Sequence, residues 1–252
     1  MHSDVVDLRD FYASRLGQVS RHLIRRRVRA LWPNVTGETV LGLGYAVPYL
    51  RQFRDEAERV IALMPAAQGV LHWPPEGPNL AALADETELP LPDFSVDRVL
   101  LVHSLECVDP LQDMLKEIWR VMTSSGRLLV VVPNRRGIWA RTDRTPFGQG
   151  RPYSPSQLSR LLRDNLFTPI QTSGALFMPP FRAGALLGSA PAWERIGRRW
   201  FPTFAGVILC EASKQIYAAP AARKRRRRAV VLPFPQPVVH GRGAAKAAER
   251  MR

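Results

Sequence analysis

Apolar residues recur along this chain with two different periods. Over residues 8–32, Phe11, Leu16, Val19, Leu23, Val28 and Leu31 fall near a spacing of about 3.6 residues, with Arg21, Arg25, Arg26 and Arg29 mainly off that stripe. This pattern predicts an amphipathic helix ending before Pro33, the principal element of an N-terminal segment (1–35) that caps the rest. Short β-type runs then follow at 39–43, 59–63, 98–102 and 127–132, with two further strand candidates near 168–177 and 205–216. Runs of that length with β-branched residues predict buried strands. Between them, Leu111 to Met122 reads as a helix stopped by Thr123-Ser124-Ser125-Gly126, and Tyr153-Ser154-Pro155-Ser156 supplies the chemistry to start another over 157–165. Strands alternating with helices argue for a parallel sheet with right-handed crossovers.

The pattern also divides the chain. Residues 36–217 form one α/β domain, interrupted at 178–202 by an insertion that mixes Arg182, Arg195, Arg198 and Arg199 with Trp193, Trp200 and Phe201. That insertion reads equally as a cover packed over the sheet edge, or as a lid or surface touching anionic lipid. Beyond residue 217 the composition turns to Ala, Pro and Arg without periodicity, which predicts a disordered basic tail over 218–252. The length of 252 residues suits one such domain with appendages.

Net charge changes the picture only once it is located. The chain carries +14, but residues 221–252 hold ten Lys or Arg against the single acid Glu249, leaving +5 for the remainder. The run Arg223 to Arg228 could bind RNA, DNA or an anionic membrane by counterion release, and does not choose among them. No stretch approaches the roughly 18 uninterrupted apolar residues of a spanning helix. The acidic start lacks the basic, then apolar, order of a leader. A cytoplasmic protein is expected. Cys107 and Cys210 lie in separate apolar segments without metal-like spacing, so neither a zinc site nor a disulfide is expected.

Residues 85–134 carry a resemblance. Asp85-Glu86-Thr87-Glu88-Leu89-Pro90-Leu91-Pro92-Asp93 leads into Ser95-Val96-Asp97-Arg98-Val99-Leu100. His103-Ser104-Leu105-Glu106, Lys116-Glu117-Ile118-Trp119-Arg120-Val121 and Ser125-Gly126-Arg127-Leu128-Leu129-Val130 follow in order. As an ordered set they resemble the type 11 branch of class I S-adenosylmethionine-dependent methyltransferases, and the likeness extends more weakly over 8–217. The resemblance implies a Rossmann-like α/β fold: a mainly parallel seven-stranded sheet ending in an antiparallel hairpin. It also implies S-adenosylmethionine as cofactor and a methyl acceptor that the sequence does not name.

The family's cofactor positions map onto this chain with substitutions. Its first strand ends in an acid before a glycine-rich turn; here the run is Leu41-Gly42-Leu43-Gly44-Tyr45-Ala46-Val47-Pro48, with Gly42 in the acid's place. Met64 takes the place of the ribose-binding acid after the second strand, while Asp85, with Glu86 beside it, matches the position facing adenine. The cofactor set implied by the resemblance is therefore Gly42, Gly44, Tyr45, Ala46, Met64, Asp85, Glu86 and His103. Restoring the acid by Gly42→Asp is expected to improve affinity if that residue has a negative φ, and to strain the loop if φ is positive.

Methyl transfer mainly requires proximity and orientation, with a base in some cases. His103 and Glu106, just past the fourth strand, are the titratable pair expected at the sheet's carboxyl edge and the candidate catalytic residues. Each also has a plainer reading, His103 as a packing or capping residue and Glu106 as an acid favoured by a helix N-terminus. Arg135, Arg136, Arg141 and Arg144 with Trp139 could bind an anionic substrate, or simply form a solvated basic loop. Two functions stand: a methyltransferase, or the same fold kept as a binding or regulatory module without catalysis. A nicotinamide-dinucleotide oxidoreductase fits less well, because the third glycine and the ribose acid are both missing.

Overall fold

The computed structural model describes residues 4–180 and 187–216. Within them one sheet contains β1 (Thr39–Gly44), β2 (Arg59–Pro65), β3 (Ala81–Ala84), β4 (Val96–Val102), β5 (Met122–Pro133), β6 (Phe167–Ala175) and β7 (Val207–Lys214), in the order β3-β2-β1-β4-β5-β7-β6. The first five strands pair in parallel. β7 runs antiparallel between β5 and β6, giving the terminal hairpin. β3 is the strand that hydrophobic patterning alone did not single out: Ala-Ala-Leu-Ala is short and weakly apolar, and its pairing with β2 defines it.

Side chains alternate across the sheet, so the two cores can be read from single strands. On β4, Leu100 and Val102 enter one core, with Tyr49, Leu50, Ile24 and Val28 from the helical layer on that side. Val99 and Leu101 enter the other, with Met114, Leu115, Ile118 and Leu162. Burial on both faces explains why the strands read as continuous apolar runs rather than as alternation.

The helices are α1 (Val5–Ala13), α2 (Arg15–Leu31), α3 (Val47–Leu50), α4 (Leu111–Val121), α5 (Pro155–Asp164) and α6 (Ala190–Trp200). α5 starts as its sequence predicts: the Ser154 hydroxyl accepts from the Gln157 amide, the Gln157 side chain accepts from the Ser154 amide, and Pro155 takes the first turn.

The single N-terminal helix expected over 8–32 is instead two. Ser14 is extended (φ −67°, ψ 158°), its amide closing α1 while its hydroxyl accepts from Gly17 to start α2. At Gly17 a Cβ would lie 1.9 Å from the Phe11 carbonyl oxygen, so only glycine permits this close turn. The break resets the helical phase. α1 buries Val5, Leu8 and Tyr12 rather than Phe11, and α2 buries Leu16, Leu23, Ile24 and Val28.

Of the expected insertion, residues 181–186 lie outside the described residues, and its second half contains α6. The basic tail from 217 onward also lies outside them. Among the described residues, no helix is long and apolar enough to cross a membrane.

Candidate active site

The strand order reverses direction between β1 and β4, since the chain moves outward to β2 and β3 on one side and to β5 on the other. In open α/β sheets the crevice at the carboxyl ends of such a strand pair is where ligands bind. Here it lies between Gly44 and Val102. Gly44 has φ +80°, and a Cβ on it would meet the Val102 carbonyl oxygen at 2.4 Å. That residue must be glycine for the β1 turn to pass the end of β4.

His103 follows β4 with φ 49°, a left-handed conformation costly for a residue with a side chain. Its imidazole is buried at the centre of an aromatic cluster. Nε2 lies 2.9 Å from the Tyr12 hydroxyl, which lies 2.8 Å from the Tyr49 hydroxyl. The Tyr12 ring stacks on Tyr45 at 5.7 Å and 18°, and the Phe147 ring centroid is 4.9 Å from that of His103. Burial raises the hydroxyl pKa of all three tyrosines, Tyr45 to about 12, so each remains a neutral donor throughout the working pH range.

α1 reaches further along the same edge. The Val5 amide donates to the Gln68 carbonyl oxygen at 2.8 Å, in the turn after β2, and the Gln68 side-chain amide donates to the His103 carbonyl oxygen at 3.1 Å. Nine residues at about 1.5 Å each carry α1 from the end of β2 to the β1/β4 crevice.

His103 and Glu106, the two candidate catalytic residues, are brought together. His103 Nδ1 and Glu106 Oε1 are 3.5 Å apart and both side chains are buried. Neither Glu106 carboxylate oxygen has a hydrogen-bond partner; the same holds for Gln68 Oε1 and Thr145 Oγ1. Gln68 touches His103, and Thr145 precedes by two residues the Phe147 that packs on it. The helix-dipole explanation for Glu106 does not apply, because α4 begins only at Leu111.

The expected cofactor residues separate into three groups. Tyr45, Ala46 and His103 lie at the crevice with Gly44. Gly42 is packed against α3 and the turn before it: a Cβ there would meet Leu50 Cδ1 at 2.6 Å and Ala46 Cβ at 2.7 Å. Its φ is not positive, so the backbone admits Gly42→Asp, and the side chain must displace Leu50 and Ala46 to be accommodated. Met64, at the end of β2, is fully buried in the core on the α1 side. Asp85 is exposed, its carboxylate accepting from the Thr87 amide and hydroxyl, which hold its pKa below the usual carboxylate range. Glu86 stands next to it, partly buried.

In the described conformation Tyr12 fills the crevice between β1 and β4, packed against Tyr45, Tyr49 and His103, and Gly42 and Met64 stand at the positions of the family's two acids. Tyr12, Gln68, Thr145 and Phe147 escaped the sequence reading. For Tyr12 a signal existed, the spacing Val5, Leu8, Tyr12 on one helical face, but it was masked by fitting a single phase through Ser14.

A methyltransferase-domain family model matches residues 40–130. A probable S-adenosylmethionine-dependent methyltransferase of Mycobacterium tuberculosis strain H37Rv is 28% identical over 191 residues, covering 71% of this chain and 68% of its own length. The counterpart from strain CDC 1551 matches equally. Among solved structures, an S-adenosylmethionine-dependent methyltransferase of Thermotoga maritima is similar with a TM-score of 0.57 and 15% identity, covering 82% of this chain and 94% of its own. One from Archaeoglobus fulgidus has a TM-score of 0.54 and 19% identity, covering 77% and 95%. These findings do not favour the reading as a non-catalytic module. The sheet order, the β1 turn against β4 and the relatives agree: residues 40–130 match the methyltransferase domain, and over most of its length the chain is similar to S-adenosylmethionine-dependent methyltransferases.

Proposed function

We propose that the described conformation is the closed form of this methyltransferase, and that cofactor entry requires α1 to leave the β1/β4 crevice. The observation that carries this reading is the set of buried polar atoms at His103 that lack hydrogen bonds: Gln68 Oε1 and both Glu106 oxygens. Each such atom costs about 1–3 kcal/mol when buried without a partner. A crevice lined mainly by acceptors suits a ligand rich in donors. S-adenosylmethionine carries a primary ammonium, and here Glu106 and Gln68 would receive it in place of the missing β1 acid. Asp85 and Glu86, at the outer end of the edge, would face adenine; Gly44, Tyr45 and Ala46 would border the methionine part, and Gly42 and Met64 would support the floor from beneath. His103 would then face the methyl acceptor, with Glu106 orienting its ring.

Calorimetry of the full chain with S-adenosylmethionine and S-adenosylhomocysteine tests this. Tyr12→Ala should tighten binding by about tenfold or more, because the competing side chain is gone. In the unsubstituted protein, S-adenosylhomocysteine should accelerate hydrogen exchange of the α1 amides. Equal affinities in both proteins, with α1 exchange unchanged, would overturn the reading.

The same proposal keeps the enzyme in the cytoplasm and assigns the Arg223 to Arg228 run to polyanion contact, on the strength of its charge alone. Binding of that run to RNA or anionic vesicles should weaken steeply with salt and vanish on deletion of residues 221–252.

A further inference from the structure

α6 is fixed to the body by its small and inward-turned residues. Ala190, Glu194 and Gly197 are its buried positions. A Cβ on Gly197 would fall 2.4 Å from the Phe177 side chain, so the helix lies directly against that ring. The Glu194 carboxylate accepts from the Phe177 amide at 2.7 Å, and burial raises its pKa. This anchoring sets which side chains face outward.

What faces outward is apolar and cationic together. Trp193, Ile196 and Trp200 follow one another at three and four residues and therefore share one stripe. Trp200 is 72% exposed, and Phe201 and Phe204 continue the surface past the helix end. Of the twelve large apolar side chains exposed among the described residues, these five fall within 193–204. Arg195, Arg198 and Arg199 are exposed on the same helix. Glu194 is the only acid between residues 187 and 204, and it is turned inward, so no outward-facing acid of this segment offsets the three guanidinium groups. A clustered apolar surface of this kind marks an interaction site.

We propose that α6 with residues 201–204 is a docking surface for a bilayer carrying anionic headgroups. An interfacial helix needs an apolar stripe rich in Trp and Phe with Arg beside it, so that rings enter the acyl boundary while guanidinium groups stay among the phosphates. The partner's charge follows from the surface: three unopposed arginines select anionic over zwitterionic lipid. The helix is too short to span a membrane and lies in the plane of the surface. None of the residues of this surface is among the crevice residues, so the inference does not depend on how the cofactor binds.

The test uses the full chain and vesicles of phosphatidylcholine containing about one quarter phosphatidylglycerol, with pure phosphatidylcholine as reference. Binding is read by co-sedimentation, and the depth of the rings by quenching of Trp fluorescence with brominated lipid. The basic tail is present in every variant, so only α6 changes. The substitution pair Trp193→Ser and Trp200→Ser should abolish most of the quenching. Arg195→Gln, Arg198→Gln and Arg199→Gln together should weaken vesicle binding roughly a hundredfold, at about fivefold per charge. Quenching and affinity unchanged in both variants would overturn the proposal, leaving any membrane contact to the tail. So would a loss of single-stranded RNA binding in the arginine variant with vesicle binding intact, which would make the surface a nucleic-acid site.

Discussion

Two aromatic clusters in this protein use the same residue types in opposite ways. At the β1/β4 crevice, Tyr12, Tyr45, Tyr49, His103 and Phe147 are buried, and the polar tips of Tyr12, Tyr49 and His103 are joined in one hydrogen-bonded chain. On α6, Trp193, Trp200, Phe201 and Phe204 remain exposed with arginines among them. The difference lies in what each helix offers its neighbour. α1 presents a large residue, Tyr12, to a gap at the sheet edge, and the gap contains partners for its hydroxyl. α6 presents Ala190 and Gly197 to Phe177, so its large residues are left on the outside. Burial of an aromatic ring is thus decided by the space and the partners facing it, not by its apolarity.

Removing Tyr12 should sharpen this contrast most. Tyr12→Ala is expected to cost about 3–5 kcal/mol in urea denaturation, as for other large buried aromatic truncations. Tyr12→Phe keeps the ring and leaves Tyr49 and His103 short of one partner, which should cost about 1 kcal/mol. Near-equal losses for the two variants would mean that the hydroxyl chain, not the packing, holds α1 in place.

Gly42→Asp comes next. A carboxylate forced against Leu50 and Ala46 on the buried face of β1 should destabilise by about 3 kcal/mol, and S-adenosylhomocysteine affinity should not improve. Improved affinity with unchanged stability would show that α3 moves aside and that the family acid can be restored.

On α6, Glu194 provides a smaller effect with a defined pH dependence. Burial raises its pKa above the ordinary 4.5, so the folded state binds the proton more tightly than the unfolded chain. Its contribution is full below the ordinary carboxylate value and is lost as pH rises through the folded value. Glu194→Gln keeps an acceptor for the Phe177 amide without the charge. The melting temperatures of the two proteins should therefore coincide near pH 4 and diverge above it, the variant being the more stable. A constant gap across this range would remove burial of the charge as the cause.

The smallest effect is expected where the aromatics are exposed. Trp193→Ser with Trp200→Ser should change stability by no more than about 0.5 kcal/mol, the range of ordinary surface substitutions. A larger loss would mean that these rings are packed, and the contrast with the crevice would fail.

Much of the fold was legible because strand burial writes itself into sequence. Val99-Leu100-Leu101-Val102 and Leu128 to Val132 are apolar throughout since both faces of β4 and β5 are covered. Ser154, Pro155 and Gln157 marked a helix start by local chemistry alone. β3 left no such mark, as four residues stabilised by pairing with β2 need little intrinsic preference. At the crevice, the ordered motifs from Asp85 to Val130 led to His103 and Glu106, and the structure brings those two side chains together. Gln68 was not legible, because its nearness to His103 is made by a turn whose sequence carries no periodic pattern.

The sequence by itself determined most of the elements and their order, since helical period, apolar runs and capping residues are local and short-ranged. Only the tertiary structure decided that α1 breaks from α2 at Ser14 and enters the crevice. That outcome depends on Gly17 admitting the Phe11 carbonyl, on Gly44 admitting the end of β4, and on the Tyr12 hydroxyl meeting Tyr49 and His103 from 37 and 91 residues away. Contacts at such separations are fixed by packing of the whole domain, and no local pattern encodes them.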